Sequence, residues 1–257
     1  MKLQLDEYAY LNTPLHRWDP RYKLISFMVL IFAFSFVHSL YLLPGMVAVS
    51  GTLYIVSSLP LSFLLARLRL PGFFLLMMAV LLPFLSGQNA LFYLGPLAVK
   101  QEGCLDLLLI SVKFLCILTL VIILFGTTPF LTNIKAMRAL GLSSILADMI
   151  LFSYRYLYDI GDKLKTMETA MKLRGFLRRN LKSLGTLASL AGTILVRSYE
   201  QSDRVYKAMI LRGYGQAGGT RSGPRRDEFQ AYPRDLAGLL VLVFIAVAFV
   251  VAEICLR

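Results

Sequence analysis

Charge is scarce in this 257-residue sequence: only 16% of it is Asp, Glu, Lys or Arg. There are two histidines, His16 and His38, and three cysteines, Cys104, Cys116 and Cys255. Each shortage removes a class of function. Two isolated histidines cannot build a metal site, and no CxxC or other zinc spacing exists. The cysteines lie in apolar runs or at the edge of one, as small buried hydrophobes do. No GxxxxGK[ST] loop is present to cradle nucleotide phosphates, and no nucleophile–base–orienter set is visible. The sequence therefore predicts no catalysis, no metal and no cofactor. A secretory leader is not expected either, because the first 23 residues are polar and lack an early apolar core.

What is abundant is apolar sequence, at 57%, where soluble domains hold about 45–50%. The few charges are strongly biased, to a net +12. That combination predicts an integral membrane protein with a large basic cytoplasmic face. Nucleic acid is a weaker partner, since no zinc-finger or RNA-binding signature accompanies the charge. About 20 apolar residues cross a bilayer as a helix. Candidate spans are 24–43, 44–66, 72–98, 105–126 and 236–256, the third interrupted by Pro83, Gly87 and Gly95. The expected fold is an all-α integral membrane protein with about five transmembrane helices and a cytoplasmic helical insertion before the last. Its divisions are 1–128, 129–234 and 235–257. Residues 129–234 carry 18 Lys and Arg against eight Asp and Glu. With Arg67 and Arg69 between the second and third spans, the positive-inside rule places the N-terminus and 129–234 in the cytoplasm. Lys113, seven residues after Asp106, lies inside the fourth span. It is either a functional intramembrane charge or a snorkelling or carbonyl-capping side chain.

The insertion reads as helices. Thr132 or Asn133 can cap a short one that stops at Gly141, and Ser143 or Ser144 a long one ending at Arg174-Gly175. A third segment, about 181–212, repeats that plan and stops at Gly213. Residues 170–176 read AMKLRGF and residues 208–214 read AMILRGY. One Arg-Gly end is ordinary helix termination, with a last-turn cation and a C′ glycine. Two copies, five of seven positions identical, point to paired recognition. Arginine presents a planar five-donor fork that suits carboxylates, and interface anchors are rich in Arg, Tyr and Met. Such tips would suit a partner with two equivalent acidic grooves. Each helix is expected to run from the membrane to a cytoplasmic tip. Met167, Met171 and Met209 near the tips offer adaptable contact or interhelical packing. Residues 213–235 read as a Gly-rich connector whose Arg221, Arg225 and Arg226 can meet anionic lipid.

Three stretches together resemble the transmembrane T component of energy-coupling factor (ECF) transporters, the CbiQ/EcfT family. They are YAYLNTPLHRWDPRYKL (Tyr8–Leu24), FSYRYLYDIGDKL (Phe152–Leu164) and the paired Arg-Gly tips. Leu173 and Leu211 stand where the family has alanine. The resemblance implies a scaffold that hydrolyses nothing itself. Its ATPase-coupling residues would be Ala170, Leu173, Arg174, Gly175, Ala208, Leu211, Arg212 and Gly213. Its partners would be two ABC-type ATPase subunits, a membrane S component and membrane lipid, in a bacterial or archaeal cell membrane. The N-terminal stretch is most similar to the cobalt/nickel branch, whose S component is a metal permease related to CbiM and which accompanies cobalamin biosynthesis. Competing readings are a general T component serving vitamin S components, a permease built around Ser86, Gln88 and Asn89, and a membrane anchor with no transport role.

Overall fold

The computed structural model describes residues 13–85, 90–94, 97–175, 182–214 and 233–256. Its helices are α1 (Pro20–Phe36), α2 (Leu43–Ser57), α3 (Leu61–Leu85), α4 (Gln101–Gly126), α5 (Phe130–Ala139), α6 (Ser144–Leu173), α7 (Lys182–Leu211) and α8 (Pro233–Leu256). A 3-10 turn, Leu40–Leu42, precedes α2, and an antiparallel hairpin of β1 (Ala90–Leu94) and β2 (Leu97–Lys100) joins α3 to α4. The protein is thus all-α apart from one short hairpin among the described residues. Four segments are long and apolar enough to cross a membrane: Leu40–Ser57, Leu61–Ala79, Leu105–Gly126 and Pro233–Leu256. Helix α1, with 17 residues, is about 26 Å long, at the lower limit for a span.

The span boundaries differ from the sequence expectation in three places. The run 24–43 stops being helical at Phe36, and 44–66 is cut at Ser57, where Ser58 turns left-handed with φ 51°. Helix α3 restarts at Leu61, with the Pro60 carbonyl accepting the Phe63 and Leu64 N–H groups. It then continues through Arg67, Arg69 and Pro71, so the two arginines lie within a helix and not in a junction. The Arg67 guanidinium sits over the Phe63 ring, 4.7 Å from its centroid, a contact that makes a helical arginine tolerable beside apolar neighbours. The expected third span, 72–98, ends as helix at Leu85, and its last apolar residues form the hairpin. Short apolar runs fit either structure by periodicity alone. Gly87, Gly95 and the cluster Ser86, Gln88 and Asn89 lie outside the described residues.

The described residues form two compact units, one of 13–136 and 233–256, the other of 137–175 and 182–214. In the first, α1 packs on α8 and α4, and α4 also on α2 and α3. Phe27, Leu30 and Phe34 of α1, Met46 of α2, and Leu120 and Ile123 of α4 are completely enclosed. Phe34 meets Phe249 of α8 edge to face at 5.3 Å. Lipid is as apolar as these side chains, so close packing holds the bundle together more than water exclusion does. Phe32, Leu70 and Phe244 accordingly project outward.

Two buried polar knots fix the bundle's irregular points. Between α1 and the 3-10 turn the chain is extended, leaving backbone groups that an apolar surrounding penalises. Lys113 Nζ donates to the Val37 carbonyl at 2.9 Å, and the Ser39 N–H donates to Glu253 at 3.1 Å. Lys113 is therefore a carbonyl cap, the second of its two sequence readings. Glu253, the acidic residue in an otherwise apolar run, is a partner that the sequence reading missed. The second knot is built by His16–Lys23, HRWDPRYK. Asp19 caps α1 by accepting the Arg21 N–H at 2.9 Å, with Pro20 in the first turn, where its missing N–H costs nothing. The Lys23 amine, fully buried, donates to the Leu15 carbonyl (3.1 Å), to Thr128 Oγ1 (2.8 Å) and to Thr127 Oγ1. Trp18 donates to the Asp235 carbonyl at 3.0 Å, and its ring lies so close to Gly238 that an added Cβ would sit 3.0 Å away. One motif thereby holds the start of α1, the start of α8 and the turn from α4 into α5.

Candidate functional site

The second unit carries the repeated signature. Helix α5 begins at Phe130, earlier than the expected caps: Pro129 opens it by accepting the Thr132 and Asn133 N–H groups. Asn133 is instead buried in the helix, and its amide donates to the Thr128 carbonyl at 3.4 Å. The helix stops at Gly141 as expected, with the Leu142 N–H returning to the Met137 carbonyl. Ser143 is the N-cap residue of α6, without a side-chain cap bond.

Helices α6 and α7 are each 30 residues long, about 45 Å. They end alike. In α7 the Gly213 N–H donates to the Ile210 carbonyl at 2.8 Å and the Tyr214 N–H to the Met209 carbonyl at 3.0 Å. This is a Schellman closure with Arg212 as C-cap and Gly213 as C′. In α6 Arg174 is the C-cap, and the Gly175 N–H donates to the Lys172 carbonyl at 3.1 Å. Gly175 and Gly213 have φ +79° and +80°, a left-handed conformation that costs other residues energy. The repeat is therefore a geometric device. It halts each helix sharply and leaves an arginine on the rim, and both arginines are exposed. Leu173 and Leu211 beside them are 84% and 88% exposed. Ala170 and Ala208 are also exposed, one turn back, while Met167, Met171 and Met209 are half-buried. Each tip therefore shows a cation next to a bare apolar knob, a pairing typical of protein-docking surfaces. Phe176 lies outside the described residues.

The contacts between the helices give their relative direction, which the sequence reading left open. Lys163 of α6 donates to Gln201 of α7, and Tyr214 Oη donates to Asp148 Oδ2 at 3.0 Å. Partner numbers rise on one helix as they fall on the other, so the pair is antiparallel. The Arg212 tip consequently lies near the first turns of α6. About 40 Å of helix separates Asp148 from Arg174. The repeat in sequence gives no sign of this polarity.

Asp148, which sequence reasoning passed over, organises the Arg212 end. Its second carboxylate oxygen faces Arg138 Nη1 of the α5 terminus at 3.4 Å. Burial, then the bond and charge of Asp148, push the Tyr214 phenol's pKa above its ordinary value. On α6 the aromatic stretch forms a ladder, with the Tyr154 and Tyr158 rings 5.2 Å apart and their hydroxyls 3.0 Å apart. No group of three or more potential metal ligands occurs among the described residues.

The model of the CbiQ family, described as cobalt transport protein, matches residues 11–222. The chain belongs to this family. Its relatives include the energy-coupling factor transporter transmembrane protein EcfT of Lactococcus lactis subsp. cremoris, 30% identical over 84% of this chain and 86% of the relative. The EcfT proteins of Limosilactobacillus fermentum and Heliobacterium modesticaldum are 28% and 26% identical. They cover 95% and 99% of this chain and 95% and 97% of their own lengths. This CbiQ-family chain is thus a multi-pass transmembrane component of an energy-coupling factor transporter.

Proposed function

We propose that the chain is the scaffold of an ECF-type importer. In this reading two ABC-type ATPase subunits dock on the Arg174 and Arg212 tips, and a membrane S component rests against the scaffold. The divisions are functional: 1–128 and 235–257 supply the membrane part, 129–234 the coupling part, with the N-terminus and the coupling part cytoplasmic. The observation that carries the reading is the pair of matched tips at opposite ends of an antiparallel helix pair. Tips about 40 Å of helix apart suit a dimer that offers one acidic groove per subunit.

ATP-driven closure of that dimer would draw the tips together. Because α6 and α7 are stiff and bridged near Lys163 and Gln201, a change at the tips becomes a change in crossing angle. The other halves, Ile145–Leu157 and Leu184–Val196, expose apolar residues such as Ile145, Met149, Leu195 and Val196. They would carry the movement to the S component. Truncating an arginine buried on docking costs about 2–5 kcal/mol, and two tips on one body act as linked binding events. Arg174→Ala or Arg212→Ala should each weaken the complex, and the pair should abolish it.

The test is co-purification in mild detergent with mass spectrometry, wild type beside Arg174→Glu/Arg212→Glu. Wild type should carry two ATPase subunits and a small membrane protein, and the variant should lose only the ATPases. A variant that keeps its ATPases would sink the reading. The substrate proposed is cobalt or nickel, delivered by a permease related to CbiM. The CbiQ family description and the N-terminal motif support it. The EcfT names of the relatives favour a second reading, a general T component serving several vitamin-type S components. Metal uptake by the reconstituted complex, against its absence, separates the two.

A further inference from the structure

The two copies of the signature differ at their last residue, Phe176 in one and Tyr214 in the other. The Tyr214 N–H closes the α7 end on the Met209 carbonyl, while its hydroxyl, at the far end of the ring, donates to Asp148 at 3.0 Å. Asp148 is held in turn by Arg138 at 3.4 Å. The residue two places after Arg212 is therefore fastened at both ends, to its own helix and to the start of α6. Phenylalanine has no hydroxyl and cannot make the equivalent bond beyond Arg174. From this we propose that Tyr214 is a positioning residue: with Asp148 and Arg138 it holds the Arg212 tip in its docking pose, so the two tips engage their ATPase subunits unequally. The inference rests on the coupling reading above. The Arg212 tip is preorganised and loses less freedom on docking.

The test is a double-mutant cycle in the full-length chain, titrated with the purified ATPase pair that co-purifies with wild type. Tyr214→Phe should weaken binding by about two- to tenfold, the equivalent of one hydrogen bond, in wild type and in Arg174→Ala. It should have no further effect in Arg212→Ala, a selectivity that general destabilisation would not produce. Asp148→Ala should behave in the same way. Equal effects of Tyr214→Phe in both arginine backgrounds, or none in wild type, would overturn the proposal. A second arm uses no ATPase: amide exchange at Gly213 and Tyr214 should accelerate in Tyr214→Phe, and unchanged protection would overturn the proposal as well. If neither arginine variant alters affinity, the coupling reading falls, and the exchange arm alone decides whether Tyr214 fastens the tip.

Discussion

Lys23 shows how much one side chain can hold in an apolar bundle. Its amine satisfies a backbone carbonyl and two threonine hydroxyls in a space closed to solvent. Lys23→Met keeps the length of the side chain and strands these acceptors. The loss should be about 2–3 kcal/mol, read as a lower melting temperature in detergent. Adding Thr127→Val should cost less than it does alone, because its partner is already gone. An unchanged melting curve for Lys23→Met would rule out the knot. Glu253 offers a graded version of the same test. Glu253→Gln keeps an oxygen for the Ser39 N–H and should be mild, whereas Glu253→Leu leaves that group unpaired and should cost about 1–3 kcal/mol.

At the scale of the element, the proposed docking tips are helix ends. The space around Gly175 and Gly213 is open, with nothing within 4 Å of an added Cβ. Any penalty for substitution there comes from the backbone. Gly213→Ala should cost about 1 kcal/mol and loosen the last turn of α7, seen as faster amide exchange. Gly213→Asn should be milder, because asparagine tolerates the left-handed region. Equal behaviour of the two variants would argue against a left-handed C′ residue. Gly238 is the opposite case, since its Cβ would meet the Trp18 ring. Gly238→Val should displace the start of α8 and lower the melting temperature through contact, not through backbone strain.

For the whole molecule, the proposed coupling makes the antiparallel α6 and α7 a lever between two docking tips. A short bismaleimide bridge between Lys163→Cys and Gln201→Cys, in a background cleared of native cysteines, would lock the crossing. The locked complex should keep its ATPases and lose substrate uptake. Full uptake by bridged protein would exclude a pivoting mechanism.

The sequence by itself determined the membrane class, the helical insertion, its stops at Gly141, Gly175 and Gly213, and the arginines left on the tips. These are local matters. Apolar run length, a C′ glycine and a last-turn cation act within a few residues, so one dimension suffices to read them. Membership of the CbiQ family followed from the same local motifs. Tertiary structure alone decided the rest. Helix α3 runs through Arg67 and Arg69 against the charge pattern, with the Arg67 guanidinium over the Phe63 ring. Lys113 becomes a cap because Val37, 76 residues away, presents an unpaired carbonyl. Glu253 acquires its role from the distant Ser39 N–H, and Lys23 from the distant Thr127 and Thr128 hydroxyls. The opposite directions of two helices that end on the same signature show only in the contacts between them. Asp148 comes to hold Tyr214, 66 positions on, through that fold-back, and no pattern in the sequence marks two residues so far apart as neighbours.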